Sequence, residues 1–300
     1  MSNLVKNTTA TNNPIAEKNK KKKLFNNTLG LLMVLPSFLV LFITVVIPII
    51  IAIWESFFED DTNTFTLRRY TYLLMNKTAR ESTLFTLKVT VVSTVLVIVI
   101  AYVIGLYVRF GKGWIPKFMA TLYMIPMFVP GIIAVYGIMV LYGKNGWLAR
   151  ILAVGGVTSF PRIIFDYKGI LISQLWGHIP FAAMVITSGL VAIPYSIIES
   201  AKDVGASNFR IFFSFILPLS LKTMLVATTF IFMGIIGSFT APYMLGPNHP
   251  QMLGVAMFQQ FSNFMDQRQA SAIAFFMFLL TSAMGAFYIF NMIKEESAKE

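Results

Sequence analysis

The chain has 300 residues, of which 56% are hydrophobic and only 12% charged, and its mean hydropathy is +0.72; this excludes a soluble domain with an ordinary charged surface and places the chain in a bilayer. Cysteine is absent, which excludes a disulfide framework, a thiolate metal site and a cysteine nucleophile. The formal charge of +11 lies largely in an N-terminal run and in short segments beside apolar spans, so it speaks for topology and anionic lipid rather than nucleic acid.

Residues 1–27 are rich in Asn, Thr and Lys, show almost no apolar period and end in the basic run Lys20 to Lys23, the composition of a disordered tail. About 25 apolar residues follow, Thr28 to Ile53. That length crosses a hydrocarbon core, and the short apolar core and small-residue cleavage site of a signal peptide are not seen, so the segment is expected to be an anchor. Five more runs of spanning length follow, Leu84 to Val108, Phe118 to Leu141, Gly169 to Ile193, Leu221 to Leu245 and Ala270 to Ile293. Six helices are therefore expected, because these runs are too continuous for the alternation of a membrane β-barrel. Pro36, Pro48, Pro126, Pro130 and Pro180 lie inside the runs and predict kinks or broken turns.

Lys and Arg placement predicts both termini inside. The inner segments then hold Lys20 to Lys23, Arg109, Lys112, Lys117, Lys202, Arg210, Lys222 and Lys294, whereas the outer basic residues sit mostly in longer loops, where the rule is weaker. The segment 194–220 becomes the longest inner connection. Within it "SIIE", Ser196 to Glu199, has the spacing of a capping box and predicts a helix start. Ala201, Val204 and Asn208 recur at helical spacing as a face of small to medium residues, and Glu199 and Asp203 sit near the helix N-terminus, where negative charge is favoured. Gly205 permits a sharp turn, and "NFRIFFSFI" runs apolar into Leu217 and Pro218. The expected shape is helix, turn, helix along the membrane face.

This stretch resembles the cytoplasmic loop of the permease subunits of binding-protein-dependent ABC importers, patterned Glu-Ala-Ala, three residues, Gly, nine residues, Ile, any residue, Leu-Pro. Glu199, Ser200, Ala201, Gly205, Phe215, Leu217 and Pro218 stand in that register; Ser200 and Phe215 depart from it, in place of Ala and Ile. The resemblance covers Thr28 to the C-terminus and implies an all-α membrane protein with the type I ABC importer permease fold of six transmembrane helices, in residues 28–300, with a cytoplasmic coupling helix in 194–220. It implies that Glu199, Ser200, Ala201, Asp203, Gly205, Leu217 and Pro218 couple the chain to a cytoplasmic ATPase. It further implies a second permease subunit, two ATP-binding subunits, an external solute-binding protein and a bacterial inner membrane location. The stretches "DVGASNFRIFFSFILPLS" and "GSFTAPYMLGP" resemble the branch that carries polyamines and related small organic solutes; a sugar or ferric-ion importer is the alternative within the family, and a channel the alternative outside it.

The spans are nearly free of ionisable residues, Lys88 lying near an outer end, so neither a proton- nor a sodium-driven mechanism is indicated. The chain has no GxxxxGK[ST] loop, no metal-spaced histidine pair (His178 and His249 are its two histidines) and no nucleophile elbow. ATP and magnesium are accordingly expected on the partner ATPase, with no cofactor in this chain. Ser238, Thr240 and Tyr243, around Pro242, are candidates for lining a pathway where a proline frees carbonyls, with ordinary Gly/Ser helix packing as the other reading. Trp176 and His178, before Pro180, suit a gate or solute contact, or an interfacial Trp and His. Glu59 to Asp61 suit a solvated outer loop or a contact with the solute-binding protein.

Overall fold

A computed structural model describes residues 32–59, 64–157, 159 and 161–297. The basic tail, residues 1–27, and Asp60 and Asp61 lie outside the described residues. The chain divides into two units, Met1–Trp54 and Glu55–Glu300.

The first unit is represented by helix α1, Leu32–Ser56, whose last residues belong to the second. Its helix does not break at Pro36 or Pro48. It widens instead into a single π-turn over Phe42–Val46, two residues before Pro48. A proline has no amide to donate and its ring presses on the carbonyl four residues back, so a wide turn placed there relieves the clash without ending the helix.

The second unit begins with a short bridge between Phe58 and Phe65 and helix α2, Arg68–Met75. Helix α3, Lys77–Phe110, is 34 residues long and starts where the Asn76 side chain accepts from the amides of Thr78 and Ala79. Helix α4, Trp114–Leu122, leads through a 3-10 turn, Ile125–Phe128, into α5, Gly131–Tyr142, and α6, Trp147–Val154. Helix α7, Tyr167–Val191, is capped by Asp166 and holds Pro180 in its interior. Helix α8, Tyr195–Asp203, precedes α9, Asn208–Ile236. After α9 come α10, Thr240–Leu245, α11, Leu253–Ser262, and α12, Gln267–Ser297.

Among the described residues, six helical segments are long and apolar enough to cross a membrane: α1, α3, Gly131–Val154, α7, α9 and Gln267–Lys294. The number agrees with the sequence expectation, but two boundaries do not. The third predicted run, Phe118 to Leu141, is two helices rather than one, because Pro126 sits in the 3-10 turn and Pro130 becomes the N-cap of α5. The fifth, Leu221 to Leu245, is broken at Gly237 and Ser238 and starts earlier, at Asn208.

The core of the second unit is the packing of α3, α7 and α9. Val97, Ala101, Ala182, Ala183, Ile186, Leu190, Ala227, Ile231 and Ile235 are buried there. Lipid tails are as apolar as leucine, so such helices associate through close van der Waals contact, and small residues set how close they come. Gly105 of α3 shows this, since a Cβ there would press to 3.2 Å from Leu190 Cδ1 and 3.3 Å from Ile186 Cγ2. Gly189 of α7 is still more constrained, because its Cβ would overlap the Thr223 side chain of α9. The Tyr102 hydroxyl of α3 meets Ser220 Oγ of α9 at 2.9 Å, whereas the buried hydroxyls of Thr90, Ser93 and Thr94 on α3 have no hydrogen-bond partner among the described residues. A second cluster joins Leu73, Ile236, Leu253, Ile273 and Met277. Here α3 also caps α11: Thr86 Oγ1 accepts from the buried Leu253 amide at 2.8 Å, a donor that the start of a helix leaves without an intrahelical partner.

Candidate functional site

The segment 194–220 departs from the sequence expectation in three places. The capping box does not form, because Pro194 takes the N-cap and helix α8 begins at Tyr195 with no side-chain cap. Proline's fixed φ of −63° is already suited to a helix entry, and it displaces Ser196 into the first turn. Ala201, expected to share a helical face with Val204, is 6% exposed and packs into the core with Ile198, three residues earlier, whereas Val204 lies outward. These two residues supply the apolar anchor of α8 on the bundle. The second arm is not a separate helix along the membrane face; α9 runs without interruption from Asn208 into the span, through a π-turn at Phe212–Ile216. This turn again stands two residues before a proline, Pro218, so the same relief seen in α1 operates here. Leu217, half-buried against the core, and Pro218 thus belong to the interior of a long helix.

The turn itself is as the sequence predicts. Gly205 has φ +81°, the left-handed region open to glycine at little cost. Its amide donates to the Lys202 carbonyl at 2.8 Å, and the Ala206 amide to the Ala201 carbonyl at 3.0 Å. This is a Schellman motif closing α8. One residue on, the Ser207 side chain accepts from the Arg210 amide and opens α9. Glu199, Ser200 and Asp203 are all exposed. So is Val204, at 85%, and so are two apolar side chains the sequence did not single out, Phe209 at 74% and Phe213 at 49%, the two rings lying 4.4 Å apart. Polar and charged groups around an exposed apolar centre are the makings of a docking surface.

A second cluster surrounds the break between α9 and α10. Gln174, in the middle of α7 and 3% exposed, donates from Nε2 to Ser238 Oγ at 2.9 Å. One turn further along α7, His178 Nδ1 lies 3.1 Å from the Gln174 carbonyl, and its Nε2 lies 3.0 Å from where a Cβ on Gly234 would stand. Gly254 of α11 closes the other side, its Cβ position being 2.7 Å from the Ser238 carbonyl oxygen. Beside the break Phe239 stacks on Tyr243 at 5.2 Å and tilts against Phe258 at 4.8 Å. Of the five predicted pathway residues, Ser238 and His178 come together through Gln174. Thr240 is exposed, and Tyr243, 54% exposed, joins the aromatic cluster. Trp176 stands apart, lining an apolar cleft of about 920 Å³ with residues of α5 such as Ile133 and Tyr136. Gln174 was missed, although a lone amide amid an apolar span is the signal that marks it. The group offers amide, hydroxyl, imidazole and aromatic faces, and no charged residue is buried among the described residues.

Residues 97–293 match the family of binding-protein-dependent transport system inner membrane components. The chain is similar to the spermidine/putrescine transport system permease protein PotB of Escherichia coli, with 26% identity over 77% of this chain and 85% of that one. It is also similar to the trehalose/maltose transport system permease protein MalF of Thermococcus litoralis, with 30% identity over 66% of this chain and 70% of that one. Among solved structures, a bacterial ABC transporter involved in alginate import shares its fold, with a TM-score of 0.75, 16% identity and coverage of 93% of this chain and 99% of the other.

Proposed function

We propose, from the premise that the chain belongs to the family of binding-protein-dependent transport system inner membrane components, that it carries a small organic cation of the polyamine kind. It is a multi-pass inner membrane permease of an ABC importer. In our reading both termini are cytoplasmic and a second permease encloses the pathway with this chain. An external binding protein delivers the solute, and two ATPase subunits, holding ATP and magnesium, dock beneath segment 194–220.

The observation that carries the coupling part is the Schellman turn at Gly205, which sets Val204 and Phe209 outward on a segment anchored by Ile198 and Ala201. An element that relays a partner's opening and closing needs rigid attachment and differential contacts in the two states. Likeness to PotB favours the polyamine cargo, and an ammonium group can be met by Gln174, Ser238 and the faces of Tyr243 and Phe258 without a buried carboxylate. Likeness to MalF favours a second reading, a disaccharide, whose hydroxyls the same amide and hydroxyl groups could bind.

The test is to purify the chain with its partners, add the candidate binding protein, and measure ATPase stimulation by spermidine, putrescine, trehalose and maltose. Stimulation by a polyamine supports the first reading, and stimulation by a disaccharide replaces it with the second. A complex without an ATPase overturns the coupling role of the loop.

A further inference from the structure

By sequence Arg109 is one of the inner basic residues. The structure gives it a more specific setting. It is the penultimate residue of α3, and its Nε and Nη2 donate to the carbonyls of Leu190 at 3.2 Å and Ile193 at 3.0 Å, at the C-terminal end of α7. Its guanidinium also lies over the ring of Tyr195, 3.9 Å from the centroid, and Tyr195 is the first residue of α8. The contact is reciprocal, for the Tyr195 hydroxyl donates to the Arg109 carbonyl at 3.1 Å. Phe110 backs the pair, 6.3 Å from the Tyr195 ring and edge-on to it.

One side chain thus joins three helices where the chain turns from α7 through Pro194 into α8. The guanidinium has no carboxylate among these contacts. Its charge faces carbonyls at the negative end of α7 instead, where cations are favoured. The geometry uses properties that arginine has and lysine lacks, a flat face for the ring and a fork of donors for two carbonyls.

We propose that Arg109 is a positioning residue that clamps α8 to the ends of α3 and α7, so that displacement of the loop by the ATPase is passed to those two helices as one body. This rests on the reading of 194–220 as the coupling loop. The rest of the attachment, through Ile198 and Ala201, is apolar and non-directional; the clamp supplies the fixed orientation.

The test uses the assembled complex in lipid nanodiscs and compares Arg109→Lys, Tyr195→Leu and Val204→Asp. Arg109→Lys keeps the inner charge and removes the fork and the stack. Arg109→Lys and Tyr195→Leu are expected to assemble with the ATPase at unchanged melting temperature and basal hydrolysis, while solute transported per ATP falls about tenfold, the scale of one ring contact or charged hydrogen bond. Because the chain has no cysteine, spin labels can be placed at Lys202→Cys on α8 and Tyr107→Cys on α3. Their separation should stay narrow and constant between nucleotide-free and nucleotide-bound complexes, and broaden in Arg109→Lys. An unchanged transport ratio in both clamp variants, or a loss that follows melting temperature while the spin-label distance stays narrow, overturns the clamp. Val204→Asp separates the two levels: if it weakens ATPase association while the clamp variants behave as wild type, the coupling loop stands and the clamp falls; if it leaves association intact, both fall.

Discussion

Replacing Gly205 tests whether the turn is set by backbone conformation or by space. Its φ is +81°, and nothing lies within 4 Å of an added Cβ, so a side chain meets no neighbour and the whole cost is that of a left-handed L-residue. That cost is roughly 1–2 kcal/mol for alanine, smaller for asparagine, which visits this region readily, and larger for a β-branched residue. Opening of the turn should therefore become about 5–30 times more frequent in Gly205→Ala, less so in Gly205→Asn and more so in Gly205→Val. Hydrogen exchange of the amides at 205 and 206, which close the motif on Lys202 and Ala201, reads this directly. Uptake should fall in the same order, Asn, Ala, Val. Exchange fastest in Gly205→Asn, or equal in all three variants, would refute the conformational account and point to exclusion of bulk from a docking face.

Three further substitutions probe the packing that holds the sites. Thr86→Val is nearly isosteric but strips the buried Leu253 amide of its acceptor; it should destabilise the protein by about 1–3 kcal/mol in thermal melts, with Thr86→Ser close to wild type. Gly189→Ala should lower the folded yield, because its methyl would overlap Thr223, and adding Thr223→Gly should restore part of it; an unimpaired single variant would mean that α7 and α9 do not approach as described. Gln174→Leu removes the donor to Ser238 at little change in volume, and should reduce uptake while leaving basal ATPase activity in place, as measured in proteoliposomes. Uptake at the wild-type rate would remove Gln174 and Ser238 from the pathway.

The spans and the Gly205 turn were legible because their signals are local: long apolar runs, and a glycine at the end of a short helix followed by a serine cap. The break at Gly237 was hidden by composition. Leu221 to Leu245 holds Lys222 and several hydroxyls but is apolar on average, so hydropathy cannot tell one helix from two; Pro242 marks a disturbance five residues past the break rather than the break itself, and the carbonyl-side packing of Gly254 that accompanies the break comes from a later helix. The capping box was a true local pattern that lost to a stronger one two residues upstream, Pro194. Periodicity places Ala201 and Val204 on one stripe, but α8 ends at Asp203, and the turn carries Val204 outward while Ala201 is buried. Arg109 and Tyr195 meet residues 81 to 86 positions away, and no spacing rule reaches that far.

The continuity of α9 has a mechanical consequence. With 29 residues in one helix, it is a rod of about 43 Å at 1.5 Å per residue, with the proposed ATPase contact at its foot and the Gly237–Ser238 joint at its head. Pivoted near one end, such a rod swings the other by about 4 Å for a tilt of only about 5°. Under the proposed coupling, a small push at the foot arrives at Ser238 as a displacement larger than a hydrogen bond is long, enough to part it from Gln174. In that reading the long helix is a lever, and the joint at its head is where the stroke is delivered.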